Sequence, residues 1–227
     1  MCLRRSIVSW WLLLSGSVFC YAAAIDSGLF TTYTTNNSKT TLYWVVCGSI
    51  PPAIGCYTSG QLGTFGEIGS IVEGTKSYNN TTGTITRHLY VIDQAIGSGQ
   101  NKVVLNDYKR VDTIVNSFDT TKFTLVKRVL LPLTGGNSAL VFVGANNSYL
   151  VIGTSMTAIP VKVQKSTLAV TSLNIISEIP ISITADNYGF ITVTSANSFF
   201  VVGPNGALEE DGGGSPFTVN KILGTRP

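Results

Sequence analysis

The sequence predicts an all-β protein, and three observations favour that class. Short segments rich in Val, Ile, Thr, Phe and Tyr follow one another along the chain, which is the composition of strands. The residues between them are mostly Gly, Pro, Asn and Ser, which favour tight turns. Charged residues are only 12% of the chain, and no window beyond the amino-terminal segment keeps a 3.6-residue apolar period. Helices are therefore not expected in the body of the protein.

The predicted strands can be placed in chain order. They are TTLYWVVC, FGEIGSIVEG, RHLYVIDQ, NKVVLNDYK, FTLVKRVLLPL, SALVFVGA, SYLVIGT, PVKVQK, LAVTSLN, PISITAD, GFITVTS and SFFVVGP. Turn signals lie at residues 97–99, 135–137, 146–147 and 204–206.

The strands recur in four similar units. A dense apolar strand begins at Leu42, Leu89, Leu150 and Phe190, so the starts lie 47, 61 and 40 residues apart. Four antiparallel strands in about 40–50 residues form one blade of a β-propeller. Runs such as LYWVV are apolar at successive positions, which is expected of a sheet covered on both faces. The sequence thus predicts a propeller-like array of about four short antiparallel blades over residues 40–227, and a β-sandwich or other all-β fold is the alternative.

Two segments carry a resemblance to a known class. NSYLVIGTS and DNYGFITVTS match second strands of the form D/N-G-y-L-y-V-t, and PNGAL matches the following hairpin turn. In these features the chain resembles secreted bacterial propeller-like repeat proteins. The resemblance implies loops at one end and a central channel for a ligand. The predicted loops are residues 97–101, 135–137, 146–147 and 154–159.

The amino terminus predicts export. Arg4 and Arg5 precede an apolar run over residues 7–19, and Ala22, Ala23 and Ala24 provide a signal peptidase site. The run is shorter than the roughly 20 apolar residues that span a bilayer. We therefore predict a signal peptide over residues 1–24 that is cleaved after Ala24, and a secreted or periplasmic protein with a polar lead-in over residues 25–39. A twin-arginine signal, an anchor or a lipidated Cys20 are the weaker readings of this segment.

Cleavage changes the charge of the chain. Formal charge falls from +3 to +1, because Arg4 and Arg5 leave and no acid does. A nearly neutral protein lacks the basic face that nucleic acids require. The mixed charges of residues 102–128 predict a solvated face. We expect neither nucleic acid nor, after cleavage, a membrane as partner.

The two cysteines that remain after cleavage bracket a turn. Cys47 and Cys56 flank Pro51 and Pro52. A zinc site needs about four ligands and a redox pair needs C-x-x-C, and neither pattern fits. In an exported chain the pair predicts a disulfide across a hairpin, which stabilises the fold by ~2.5–3 kcal/mol. Free buried thiols are the alternative.

The sequence predicts no catalytic residue. His88 is the only histidine, and no nucleophile motif such as G-x-S-x-G accompanies it. No cofactor is expected. Calcium is the one metal considered, with a weak set of oxygen ligands in the residues Asp186, Asn187, Glu209, Glu210 and Asp211. Neighbouring residues of a strand point to opposite faces, so the acidic run alone does not form a site.

These observations lead to one expected function and one rival. The protein is expected to be an exported, non-catalytic binding or scaffold module for a protein or glycan ligand, as a monomer or a ring-completing dimer. The rival is an exported propeller hydrolase of lactonase or glycosidase type, with or without calcium.

Overall fold

The computed structural model describes residues 29–36, 39–50, 53–95, 101–115, 118–136, 139–174 and 178–213. These residues form strands and turns without a helix, which confirms the all-β prediction. No helix in this part of the chain is therefore long and apolar enough to cross a bilayer. The strands are β1 (Leu29–Asn36), β2 (Lys39–Ile50), β3 (Ala53–Phe65), β4 (Glu67–Asn79), β5 (Thr84–Ala95), β6 (Lys102–Val115), β7 (Phe118–Thr134), β8 (Val141–Ala145), β9 (Tyr149–Thr154), β10 (Thr157–Gln164), β11 (Val170–Ser172), β12 (Pro180–Ala185), β13 (Ile191–Ser195), β14 (Ser198–Val202) and β15 (Leu208–Gly213).

The described strands form four small antiparallel sheets, and each sheet is a run of consecutive strands. Sheet A is β1-β2-β3, sheet B is β4-β5-β6-β7, sheet C is β8-β9-β10-β11 and sheet D is β12-β13-β14-β15. The four predicted units begin in β2, at Leu89 in β5, at Leu150 in β9 and just before β13. Each of these strands is the second of its sheet in chain order. That the units descend from one repeat stays a prediction.

Both faces of the middle strands are covered, as their sequences indicate. Every residue of β9 and every residue of β13 is buried. A strand exposed on one face would alternate between apolar and polar residues. The successive apolar residues of YLVIGT are therefore explained by neighbours on both faces of the sheet.

Each sheet packs on the sheet that follows it in the chain. Leu42 and Phe65 of sheet A pack against Leu89 and Val91 of sheet B. A second core joins sheets B and C and contains Tyr90, Ile92, Leu105, Leu150, Ile152 and Val161. A third joins sheets C and D and contains Tyr149, Val151, Ile183, Ile191 and Val193. Burial of apolar surface between successive sheets thus holds the array together.

Two glycines allow the first strands of successive sheets to approach closely. A Cβ added to Gly69 of β4 would lie 2.5 Å from Val141 Cγ2 of β8. A Cβ on Gly144 of β8 would lie 2.5 Å from Ile191 Cγ2 of β13 and 2.9 Å from Ile183 Cγ2 of β12. Any larger residue at either position would push neighbouring sheets apart.

Sheet A contains the predicted hairpin and adds strand β1 to it. Strands β2 and β3 pair directly, and the register places the Cα atoms of Cys47 and Cys56 opposite each other. Only the backbone is described at these two positions, so the disulfide itself stays a prediction. Strand β1 pairs with β2 over residues 29–36, within the segment expected to be a polar lead-in.

Candidate functional site

An open cleft lies where the turns of sheets C and D meet strand β4. This turn cleft has a volume of about 450 Å³. It is lined by Glu73, Gly74 and Thr75 of sheet B, by 145–148 and Lys165 of sheet C, and by 186–189 and Pro204 of sheet D. Three sheets therefore contribute to one concave surface, which is the usual form of a ligand site.

Asn146 fixes the wall that sheet C contributes. Its Oδ1 accepts hydrogen bonds from the backbone N–H groups of Ser148 and Tyr149, each at 2.9 Å. Its Nδ2 donates to the backbone oxygen of Gly189 at 2.9 Å, which ties the β8–β9 turn to the β12–β13 turn. Asparagine favours such turns because its short side chain mimics a backbone group. Both polar atoms of the Asn146 side chain, Oδ1 and Nδ2, are thus used in hydrogen bonds that hold the turns.

Asp186 fixes the wall that sheet D contributes. Its Oδ1 accepts from the backbone N–H groups of Tyr188 and Phe190, each at 2.9 Å. The two turns share a sequence pattern, since GANNSY spans the end of β8 and TADNYG spans the end of β12. The same kind of side chain at the same place in two successive sheets therefore builds both walls.

The lining of the turn cleft is polar and carries one exposed aromatic ring. Tyr188 is 65% exposed at the rim. Glu73 is partly exposed and lies 3.4 Å from the guanidinium groups of both Arg87 and Arg110. Carboxylates, amides and an ammonium group thus surround the space.

A second cleft adjoins the first. This His88 cleft has a volume of about 340 Å³ and shares Thr75, Asn147 and Lys165 with the turn cleft. Its other lining residues are His88, Tyr90, Asp107, Val126, Lys127, Ser166, Thr167 and Leu168.

His88 has a positioned partner that the sequence did not reveal. Its Nδ1 lies 2.7 Å from Oδ1 of the buried Asp107, and its ring stacks on Tyr90 with centroids 6.1 Å apart. Burial and then the Asp107 carboxylate raise the pKa of Tyr90 to about 12, so the phenol keeps its proton. The chain positions 88 and 107 are brought together because β5 and β6 pair antiparallel.

Lys165 lies between the two clefts. Its Nζ donates to the backbone oxygen of Asn146 and lies 5.7 Å from the centre of the Tyr90 ring. Burial lowers the pKa of this lysine from its ordinary value of 10.5. No acidic side chain of the described residues forms an ion pair with it.

The face of sheet B opposite His88 carries a second cluster of charges, which Glu73 connects to the turn cleft. Arg110 Nε donates to Asp112 Oδ1 at 2.8 Å, and Thr121 Oγ1 donates to the same oxygen at 2.8 Å. Arg87 Nη2 lies 3.9 Å from Asp112 Oδ2. With Glu73, this closed cluster contains two arginines and two carboxylates, so its formal charges cancel.

The predicted cation ligands are only partly described. Asp186 and Asn187 line the turn cleft. Glu209, Glu210 and Asp211 lie at the start of β15, where only the backbone is described. Within the described residues, no group of three or more His, Cys, Asp and Glu side chains is arranged to hold a metal ion. The calcium site stays a prediction.

The predicted loops do not share one end of the sheets. Residues 146–147 line the turn cleft, whereas Thr154 and Thr157 lie beside Thr134, before β8 begins. Because β8 and β9 are antiparallel, the turn that connects them lies at one end of sheet C. Their connections to other strands lie at the opposite end. Of the loop at 97–101, only residue 101 lies within the described part of the chain.

No protein-family model matches this chain, and no curated protein matches it either.

Proposed function

We propose that the protein is an exported, non-catalytic binding module of propeller-like architecture whose turn cleft holds a glycan. The observation that carries the proposal is the polar cleft of about 450 Å³ that three sheets line together. Export rests on the predicted signal peptide at residues 1–24.

The packing of the first strands supports the propeller-like part of the proposal. Strands β4, β8 and β12 open successive sheets, and β8 packs against both of the others. Gly69 and Gly144 allow the close approach. In a propeller, sheets are arranged radially around a central channel. A sandwich would instead place two sheets face to face around one core.

The chemistry of the turn cleft favours a hydroxyl-rich ligand. A hydroxyl group both donates and accepts hydrogen bonds, so it suits a lining of carboxylate, amide and ammonium groups. The exposed ring of Tyr188 adds an apolar surface with a polar tip, which packs against a sugar face. A protein partner would need roughly 800 Å² of contact surface with an apolar centre, which a polar cleft does not offer.

Substitution of Tyr188 tests the proposal. The purified mature protein is applied to a panel of immobilised neutral and acidic oligosaccharides, and we expect at least one class to be retained. Tyr188→Ala should weaken that binding about fivefold, because an aromatic contact contributes ~1 kcal/mol. Tyr78→Ala is the matched control, since Tyr78 is 46% exposed and lines neither cleft. The proposal is contradicted if the protein retains no oligosaccharide, or if Tyr188→Ala binds the oligosaccharide as tightly as the wild type does.

The mass in solution bears on closure of the ring. Propellers contain four to eight blades. Four sheets in the described residues fit either a self-closed monomer or one half of a ring that a second copy completes. Light scattering on the mature protein distinguishes these two states.

The hydrolase alternative has one observation in its favour. A general base needs a partner that orients it, and Asp107 stands in that relation to His88. No serine, threonine or cysteine of the described residues is hydrogen-bonded to His88, so water would be the nucleophile. Mass spectrometry of the retained oligosaccharide after incubation with wild type and with His88→Gln tests this alternative. Cleavage by wild type alone would replace the binding module with an enzyme.

A further inference from the structure

The residues around the His88 cleft carry more positive than negative groups. Its described lining contains two lysines, Lys127 and Lys165, together with His88, but only one carboxylate, that of Asp107. Facing His88 are Tyr90 from its own strand, Asp107 and Lys109 from β6, Lys127 from β7, Thr75 from β4 and Lys165 from the turn after β10. Glu73 of β4 is held by the arginines of the closed cluster. Asp107 lies opposite Lys127 in the register of β6 and β7, but its Oδ1 contacts His88, and within the described residues neither Lys127 nor Lys165 forms an ion pair with a carboxylate.

The turn that carries Lys165 is held in a fixed conformation. Leu168 has a φ of 57°, which is uncommon for a residue other than glycine. Its side chain is buried in the core between sheets B and C, and burial holds the backbone in this conformation. Lys127 Nζ donates to the backbone oxygen of Thr167 at 3.0 Å and ties the turn to β7. Both ammonium groups are therefore positioned before any ligand arrives.

Within the described residues, Lys165 in particular has no carboxylate at ion-pair distance. Its ammonium group is partly buried and has a backbone oxygen and an aromatic ring as neighbours, neither of which carries a full negative charge. Burial of a charge costs free energy unless an opposite charge compensates it. The lowered pKa of Lys165 has this cause. A bound anion would supply the missing compensation.

We infer that the His88 cleft is an anion subsite, which takes the carboxylate or sulfate group of an acidic glycan whose neutral part lies in the turn cleft. The inference rests on the proposed function and names the class of glycan. Lys165 and Lys127 donate charge-assisted hydrogen bonds to the anion, and His88 adds a donor when it is protonated. Glu73 and Asp186 of the turn cleft repel an anion, so the charged group is directed into the His88 cleft.

The first arm of the experiment compares matched oligosaccharides by calorimetry. The probes are tetragalacturonate, its fully methyl-esterified form and a sulfated galactan oligosaccharide of the same length. We expect the acid to bind about tenfold more tightly than the ester, as one charge-assisted hydrogen bond allows. Lys165→Met should abolish the tenfold difference between acid and ester, and because Lys165 lines both clefts the comparison is made between the two probes within the variant. Tighter binding of the sulfated probe than of the uronate would assign the natural group as sulfate, and the reverse as carboxylate.

The second arm needs no sugar. His88 is the only histidine of the chain, so its ring gives a single set of imidazole NMR signals. Sodium sulfate, added at the same ionic strength as sodium chloride, should move these signals in wild type and not in Lys165→Met. Lys102→Met is the matched control, because Lys102 is exposed at the far end of β6 and lines neither cleft. Urea unfolding of both variants shows that they remain folded.

The outcomes separate the subsite from the proposed function. A response to sulfate that depends on Lys165, without binding of any oligosaccharide, supports the anion subsite and overturns the glycan ligand. Equal binding of acid and ester, with no response to sulfate, overturns the subsite and supports the glycan ligand. Absence of every response overturns both.

Discussion

The two faces of sheet B carry two clusters of charged side chains that differ in how completely each neutralises itself. Arg87, Arg110 and Asp112 face sheet A with Glu73 beside them, and Asp112 is completely buried. His88 and Asp107 face sheet C from the same two strands, and the His88 side chain is 38% exposed. Residues one position apart on β5 thus belong to opposite faces, as the alternation of a strand requires.

The two clusters therefore have different roles. Charges that cancel inside a covered face make a structural network, because each ion obtains its compensation from another side chain. An excess of positive charge beside an open cleft leaves compensation to a ligand. We therefore expect substitutions on the closed face to change stability and substitutions on the open face to change binding.

Asp112→Asn should produce the largest effect. Removal of one partner from a buried ion network typically costs ~3–5 kcal/mol, because it leaves an arginine charge uncompensated. Urea unfolding measures the free energy. Asp107→Asn is the matched substitution on the open face and should cost ~1 kcal/mol, since water reaches His88 and solvates it. Equal losses for the two variants would remove the distinction between the faces.

Loss of the predicted disulfide should come next. Sheet A covers the closed face of sheet B, and the Cα atoms of Cys47 and Cys56 lie opposite each other in its hairpin. Cys47→Ser should lower the free energy of unfolding by ~2.5–3 kcal/mol under oxidising conditions. The variant should leave the sulfate response of His88 intact, because sheet A lies on the other face. An intact mass equal to that of the fully reduced protein would show instead that the wild-type thiols are free.

Asn146→Ala should have an intermediate effect on both properties. It removes two hydrogen bonds within the β8–β9 turn and the one that joins this turn to the β12–β13 turn, at a cost of ~1–2 kcal/mol. It should also weaken glycan binding, because the turn cleft loses a fixed wall. Asn205→Ala is the control, since the Asn205 side chain accepts one hydrogen bond, from Ala207 N at 2.8 Å, within its own turn. Similar losses of binding in both variants would indicate a general loss of structure.

The pH dependence from Lys165 should be the smallest effect. Its pKa is lower in the folded protein than the ordinary 10.5. The folded state therefore loses this proton first as pH rises, and the cost of burying the charge disappears. As pH rises from the folded-state pKa to 10.5, the free energy of unfolding of the wild type should increase relative to that of Lys165→Met. Urea midpoints of both proteins near neutral pH and near pH 10 measure the difference, and a constant difference would show that burial does not affect this lysine.

Part of the candidate site was visible in the sequence. The turn signal at Asn146 and Asn147 and the oxygen ligands Asp186 and Asn187 were predicted, and the structure brings both pairs to the turn cleft. Asn and Asp can be found in this way because they act on their own backbone within a few residues. Glu73, Tyr188 and Lys165 were not predicted, since each acquires its place only when different sheets pack together.

The fold class and most strand positions follow from the sequence, because the spacing of apolar residues and the turn chemistry act over a few neighbouring residues. The contact of His88 with Asp107 forms only when β5 and β6 pair. The contact of Lys165 of sheet C with Tyr90 of sheet B forms only when the two sheets pack together. These contacts depend on strand register and on which faces are buried against each other, and both are set by the packing of the whole core. The chemistry of the two clefts was therefore decided by contacts between residues that lie far apart in the chain.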